Sequence, residues 1–274
     1  MSSRVVLLLV GAFLSIAPVR GAHGSVCYDC LCRVRELGFY VDGLPDSYDC
    51  TLPGPVPPPI VVLDASSSYS GDDAINAQTG ATWTMTHNLD GPSPCARNQH
   101  LGVDVFDLED PYCGLESTER LDYCGSSFGW TTADWIDIRD DVSTYGTRTF
   151  HATTNGVLVI TRESENAARG SVDSSWEFFP NYSFHPDHGW NLVVAVGQDT
   201  DCVAGGGTTS FYVGTPTWHP VLVGTIGKSV GSGVQTHSFG NWGPGKLAES
   251  RVWDQALTFK EIETMWRDTS PKFQ

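Results

Sequence analysis

Positive charge is scarce in this chain. Lys and Arg number 16 against 32 Asp and Glu, a formal net charge of −16 over 274 residues. Such a surface repels phosphate backbones and anionic headgroups, which argues against nucleic acid or a charged lipid face as partner. It is compatible with divalent cations or a basic partner, and it also serves solubility. Charge of either sign is thin, at 18% of residues, while Gly (29) and Pro (16) are plentiful. Long salt-bridged helices do not suit that composition; short strands joined by turns do. Beyond the first 21 residues no apolar run is long enough to span a bilayer, so no membrane insertion is expected. Catalytic signatures are missing too. No Gly-x-Ser-x-Gly elbow stands in a strand-to-helix setting. His185-x-x-His188 lacks the Glu and the helix of a zinc protease, and Pro186 opposes a helix there. No internal repeat is found.

The first stretch reads as a secretory signal. Arg4 gives a positive start, an apolar run follows from Val5 to Ile16, and Val19 and Gly21 supply small residues for cleavage before Ala22. Cleavage before Ser25 is the alternative. Removing Arg4 and Arg20 with the segment leaves 14 basic residues against 32 acidic ones, a net −18. The expected location is therefore secreted or extracellular. Cysteine usage agrees: Cys27, Cys30, Cys32, Cys50, Cys95, Cys113, Cys124 and Cys202 all follow the signal. An even number in an oxidising compartment predicts disulfides, with the pairing open. Cys27-x-x-Cys30-x-Cys32 has no matching second pair, which disfavours zinc. Asn181-Tyr182-Ser183 is a glycosylation sequon.

The organisation follows from these marks. Residues 1–21 are the signal peptide, 22–52 a cysteine-rich segment too small to build its own core, and 53–59 a proline-rich linker. Residues 60–274 form the main domain. Within it, Ile60–Leu63, Leu101–Phe106, Val157–Ile160, Leu192–Val196, Phe211–Val213 and Val221–Gly224 read as strands between turn clusters. Residues 91–124 read as large loops pinned by cysteines. Near the C-terminus, Thr258-Phe259-Lys260-Glu261 is a capping box, with Leu257 and Ile262 as a hydrophobic staple. Phe259, Ile262 and Trp266 then share one helical face that docks on the sheet. The fold class expected is all-β: an antiparallel jelly-roll β-sandwich with a short C-terminal helix and a small N-terminal cysteine-rich segment.

The last third carries a family likeness. Gly189-Trp190-Asn191-Leu192-Val193-Val194-Ala195-Val196 resembles the tryptophan-led strand of laminin-G-like domains. Thr209–Gly214 is similar to their next strand, and Phe239-Gly240-Asn241-Trp242 with Gly245–Trp253 to the strand that leads out of the sandwich. Asp254-Gln255-Ala256-Leu257-Thr258-Phe259-Lys260-Glu261-Ile262 resembles their exit helix. The likeness, to the laminin-G and concanavalin A-like lectin and glucanase superfamily, implies the sandwich but does not choose among lectin, matrix module, pentraxin and glucanase.

Three site chemistries bear on the sequence. Glucanases on this scaffold alternate Glu-x-Asp-x-(x)-Glu along one strand; here Trp135-Ile136-Asp137-Ile138-Arg139-Asp140 lacks the first Glu, leaving Asp137 as the acid that would face a groove. No catalytic residue is assigned, and the chain is expected not to be an enzyme. Calcium is the one cofactor considered: Asp104, Asp107 and Asp110, with Glu109, crowd one short segment with hard oxygen donors. Sugar recognition stacks a pyranose on an aromatic ring and fixes its hydroxyls with polar groups. Trp130, Trp218 and Trp242 lie in loop-like settings, with Asn241 beside the last; Trp190 and Trp253 read as core. The expected function is a secreted lectin-like module binding glycan on a cell-surface or matrix glycoprotein, with calcium assistance. An adhesion component without a small ligand is the alternative, and a glycoside hydrolase stands third.

Overall fold

In the computed structural model the described residues are 55–87, 95–108, 113–119, 129–137, 149–153, 156–164, 167–172, 175–180, 189–198, 206–229, 236–240 and 245–274. All belong to the unit Gly54–Gln274. The signal, the cysteine-rich segment, Asn181 and six of the cysteines lie outside them. The first strands in chain order are β1 (Val61–Asp64), β2 (Tyr69–Ser70), β3 (Asp73–Ile75), β4 (Thr82–His87), β5 (Ala96–His100) and β6 (Val103–Leu108). Next come β7 (Cys113–Glu116), β8 (Trp130–Asp137), β9 (Thr149–Thr153), β10 (Gly156–Ser164), β11 (Ala167–Val172) and β12 (Ser175–Pro180). The last are β13 (Trp190–Gln198), β14 (Thr208–Thr215), β15 (Trp218–Ile226), β16 (Thr236–Gly240) and β17 (Gly245–Trp253), followed by helix α1 (Phe259–Thr269) and a 3-10 turn, Ser270–Phe273.

These strands build an all-β sandwich. One sheet is ordered β15-β14-β13-β8-β17-β6-β5; the flank of β17 that pairs β6 at Gly245–Leu247 pairs β1 at Glu249–Val252. The other is ordered β12-β11-β10-β9-β16-β7-β4-β3-β2. Their facing sides share one core, with Ile136, Val193, Phe211 and Leu247 from the first sheet against Trp83, Leu115 and Val172 from the second. The first sheet is buried on its other face as well, where Trp135, Trp190, Leu192 and Val194 meet Leu257, Ile262, Met265 and Phe273. That double burial is why β13 is apolar at nearly every position instead of alternating. Trp190 and Trp253 are core, as their strand settings implied.

The helix begins where the sequence places it. Thr258 Oγ1 accepts from the Glu261 amide and the Thr258 amide donates to Glu261 Oε2, so the capping box is closed in both directions. Leu257 and Ile262, the staple positions, are both buried. Phe259 stacks on Tyr212, and the Trp266 indole donates to the Thr215 carbonyl (2.8 Å), which seats the helix on β14 and β15.

The loop reading of residues 91–124 is corrected for its described part. Residues 96–108 form the β5–β6 hairpin, closed by Leu101 (φ 50°) and Gly102 (φ 78°), both in the left-handed region that a two-residue hairpin turn requires. Cys95 and Cys113 are bonded to each other and tie the start of this hairpin in the first sheet to β7 in the second.

Candidate functional site

A groove of about 770 Å³ lies against β4 and the β7 segment in the second sheet. Along β4, Thr-Trp-Thr-Met-Thr alternates: Trp83 and Met85 turn into the core, so Thr82, Thr84 and Thr86 line the outer side. The register places Glu116 opposite Thr84 and Gly114 opposite Thr86. Ser117, Thr118 and Glu119 continue the lining beyond the end of β7. The wall is thus hydroxyls and two carboxylates, with the sheet backbone beneath.

The carboxylates differ in how they are held. Glu119 Oε2 accepts from the Asn76 amide (3.1 Å) and from the Trp83 indole N–H (3.3 Å), while its own amide donates to Ser117 Oγ (3.0 Å). The Ser117 hydroxyl in turn donates to the Thr82 carbonyl (3.2 Å). Asn76 is wholly buried and also accepts from the Val62 amide, so Glu119 is anchored through Asn76 to the framework. Oε2 has two good donors; Oε1 has only a long 3.4 Å contact with Asn76 and keeps acceptor capacity toward the groove. Glu116 is exposed and has no hydrogen-bond or ion-pair partner among the described residues.

Trp130 and Trp218 do not line this groove. Trp130 is a strand residue, 3% exposed, and its indole N–H donates to Ser229 Oγ (3.1 Å). A Cβ on Gly197 would stand 2.3 Å from that ring, so the ring has no open face on that side. Trp130 is therefore a packing residue, correcting its reading as a sugar platform. Trp218 is half-buried at the start of β15, in the sheet opposite the groove, with its amide donating to Thr215 Oγ1. Asn241 and Trp242 lie outside the described residues; they follow Gly240 in the sequence, and Gly240 pairs with Gly114, the partner of Thr86.

The calcium reading fares no better. Asp104 and Asp107 are three apart on β6, and an odd spacing puts side chains on opposite faces of a strand. Asp104 accepts from Gln99 Nε2 (3.3 Å) and lies near Arg97, whereas Asp107 takes both of its contacts with Lys246 Nζ (3.2 and 3.1 Å) and one from Asn98. The two carboxylates do not fit one cation, and Asp110 lies outside the described residues. Among the described residues no group of three or more His, Cys, Asp or Glu is placed to hold a metal.

Asp137 does not face a groove. It is 6% exposed, and its Oδ2 is hydrogen-bonded to His100 Nε2. The His100 ring stands edge-on to Trp190 at 5.8 Å. With the Lys246–Asp107 pair, this forms a largely buried polar seam across β5, β6, β17 and β8. Among the described residues no helix is long and apolar enough to cross a membrane.

The sequence matches no protein-family model and no curated protein. Similarity is found with solved structures. A mutant of Trypanosoma rangeli sialidase displaying trans-sialidase activity superposes with a TM-score of 0.51 at 13% identity, covering 80% of this chain and 34% of that one. The binding domain of botulinum neurotoxin serotype D/C superposes with a TM-score of 0.50 at 14% identity, covering 77% of this chain and 52% of that one. This chain thus spans about half of the neurotoxin binding domain and a third of the sialidase. At such identity the likeness is one of fold, and it agrees with the all-β sandwich built here from strand pairing.

Proposed function

We propose that the protein is a secreted, lectin-like binding module of the laminin-G and concanavalin A-like type, and that it holds a glycan in the groove over β4 and β7. The observation that carries the reading is the lining: Thr82, Thr84, Thr86, Ser117 and Thr118 present hydroxyls, and Glu116 and Glu119 present strong acceptors. A saccharide is a dense array of hydroxyls, each donor and acceptor, and such a wall matches it without a deep apolar cavity. Trp242 and Asn241, next in the chain after the strand beside β7, are the proposed stacking and polar partners. The sialidase likeness supports the reading only as far as its fold.

A flat apolar docking face, which the adhesion alternative requires, finds little support. Exposed large apolar side chains among the described residues are Tyr69 on β2, Leu101 in the β5–β6 turn, and Val221 and Leu222 on β15. The test is binding of the secreted, oxidised protein to a broad glycan array, with calcium and with a chelator. Binding to a defined sugar class, weakened at least about tenfold by Thr84→Val or Trp242→Ala in folded protein, supports the site. Silence in both conditions, or binding untouched by both substitutions, overturns it. Release of reducing sugar from a bound glycan would overturn the non-enzymatic reading.

A further inference from the structure

We infer that the groove selects by charge, taking amine-bearing saccharides most tightly, neutral ones next, and rejecting carboxylated ones such as sialosides. The inference rests on the carbohydrate reading of the same groove and narrows it. Two carboxylates share this wall, and none of the groove's described lining residues is Lys, Arg or His. Glu116 is exposed and faces the groove with no cation beside it among the described residues. Glu119 is fixed from behind by neutral donors, the Asn76 amide and the Trp83 indole, which orient its charge without cancelling it. Several carboxylates described elsewhere in the fold have a basic side chain against them: Asp107 has Lys246, Asp137 has His100, and Glu249 has Arg251 and Lys272. At the groove the pattern breaks, on a chain whose net charge is already −16.

The chemistry follows from donor counting and from charge. An ionised carboxylate only accepts hydrogen bonds, so Glu116 and Glu119 require donors from the ligand. Sugar hydroxyls supply them, and an ammonium group supplies three with a compensating charge. A ligand carboxylate brings more acceptors and a like charge into the same space. Arg120 follows Glu119 in the sequence and lies outside the described residues, so the test includes it.

The experiment uses the full secreted chain with its disulfides intact. Calorimetric titration at about pH 6 and low salt compares the tetramer of glucosamine with that of N-acetylglucosamine, and lactose with sialyllactose. The amine-bearing tetramer is expected to bind about tenfold tighter than its acetylated counterpart, and lactose about tenfold tighter than its sialylated form. Both ratios should shrink as salt rises. Glu116→Gln, which removes the charge and keeps the side chain's size, should cut each ratio to about threefold or less. Equal affinity across each pair, or ratios unmoved by Glu116→Gln, overturns charge selection and leaves carbohydrate binding standing. Sialyllactose binding tighter than lactose and lost in Arg120→Gln does the same. No binding of any of the four probes overturns both readings.

Discussion

Truncating Phe273 should unseat the C-terminal turn from the sandwich. Its ring is 8% exposed, stacked on Trp135 at 4.3 Å between centroids and tilted against Trp190 at 5.1 Å. Phe→Ala in a core costs about 3–5 kcal/mol, the lost transfer energy plus the cavity left behind. Phe273 lies in a short 3-10 turn and not in a strand, so the site can collapse around the lost ring and the lower end, about 3 kcal/mol, is expected. Phe273→Leu keeps most of the buried area and forfeits the ring contacts, so about 1 kcal/mol is expected. In urea, with disulfides intact, the alanine variant should lower the midpoint by about 1 M or more for a slope of about 2–3 kcal/mol/M. Trp135 and Trp190 report on the same site, so tryptophan emission and near-ultraviolet dichroism should change in the native baseline. An alanine variant with the wild-type midpoint and unchanged emission would refute the packing role. A leucine variant as costly as alanine would refute the division between area and ring contact.

Three further outcomes follow from single contacts. Thr258→Ala opens the capping box and should cost about 1 kcal/mol by denaturation midpoint; no change would move the helix start. Replacing Cys95 and Cys113 with serine removes a crosslink spanning 18 residues and should cost about 3 kcal/mol in the same assay. Asp64 gives a pH signature. Burial pushes its pKa up, but the Ser66 hydroxyl and amide and the Lys272 ammonium outweigh burial and hold it below the ordinary 3.8. A depressed carboxylate contributes stability above its unfolded pKa and loses it as pH falls through the folded value. The stability gap between wild type and Asp64→Asn should therefore be full at neutral pH and close below about pH 3.8; a gap constant down to pH 2 would count against the shift.

What could be read ahead of the structure was local. The capping box needs four consecutive residues, and the apolar run of β13 needs only burial on both faces. β6 was legible as the strand Leu101–Phe106, but its partner β5 escaped because Ala96-Arg97-Asn98-Gln99-His100 carries no apolar alternation. It is an edge strand, placed by its turn and by the Cys95–Cys113 bond.

The groove is nonlocal for a related reason. Between β4 and its partner β7 the chain leaves for the other sheet and returns, so Glu116 meets Thr84 only through topology. One signal was present: Thr-Trp-Thr-Met-Thr has the period of a strand with one polar face. For Trp130 the tryptophan argument failed on a different point. Gly129 before Trp130 suggested a loop, yet a Cβ there would meet Ala256 at 2.8 Å, and one on Gly197 would collide with the Trp130 ring. Glycine beside a large aromatic can mark space cleared for packing as well as a turn. At Trp130, clearance is the cause, and in the proposed reading the polar atoms offered to a ligand are those of the threonines on the opposite sheet.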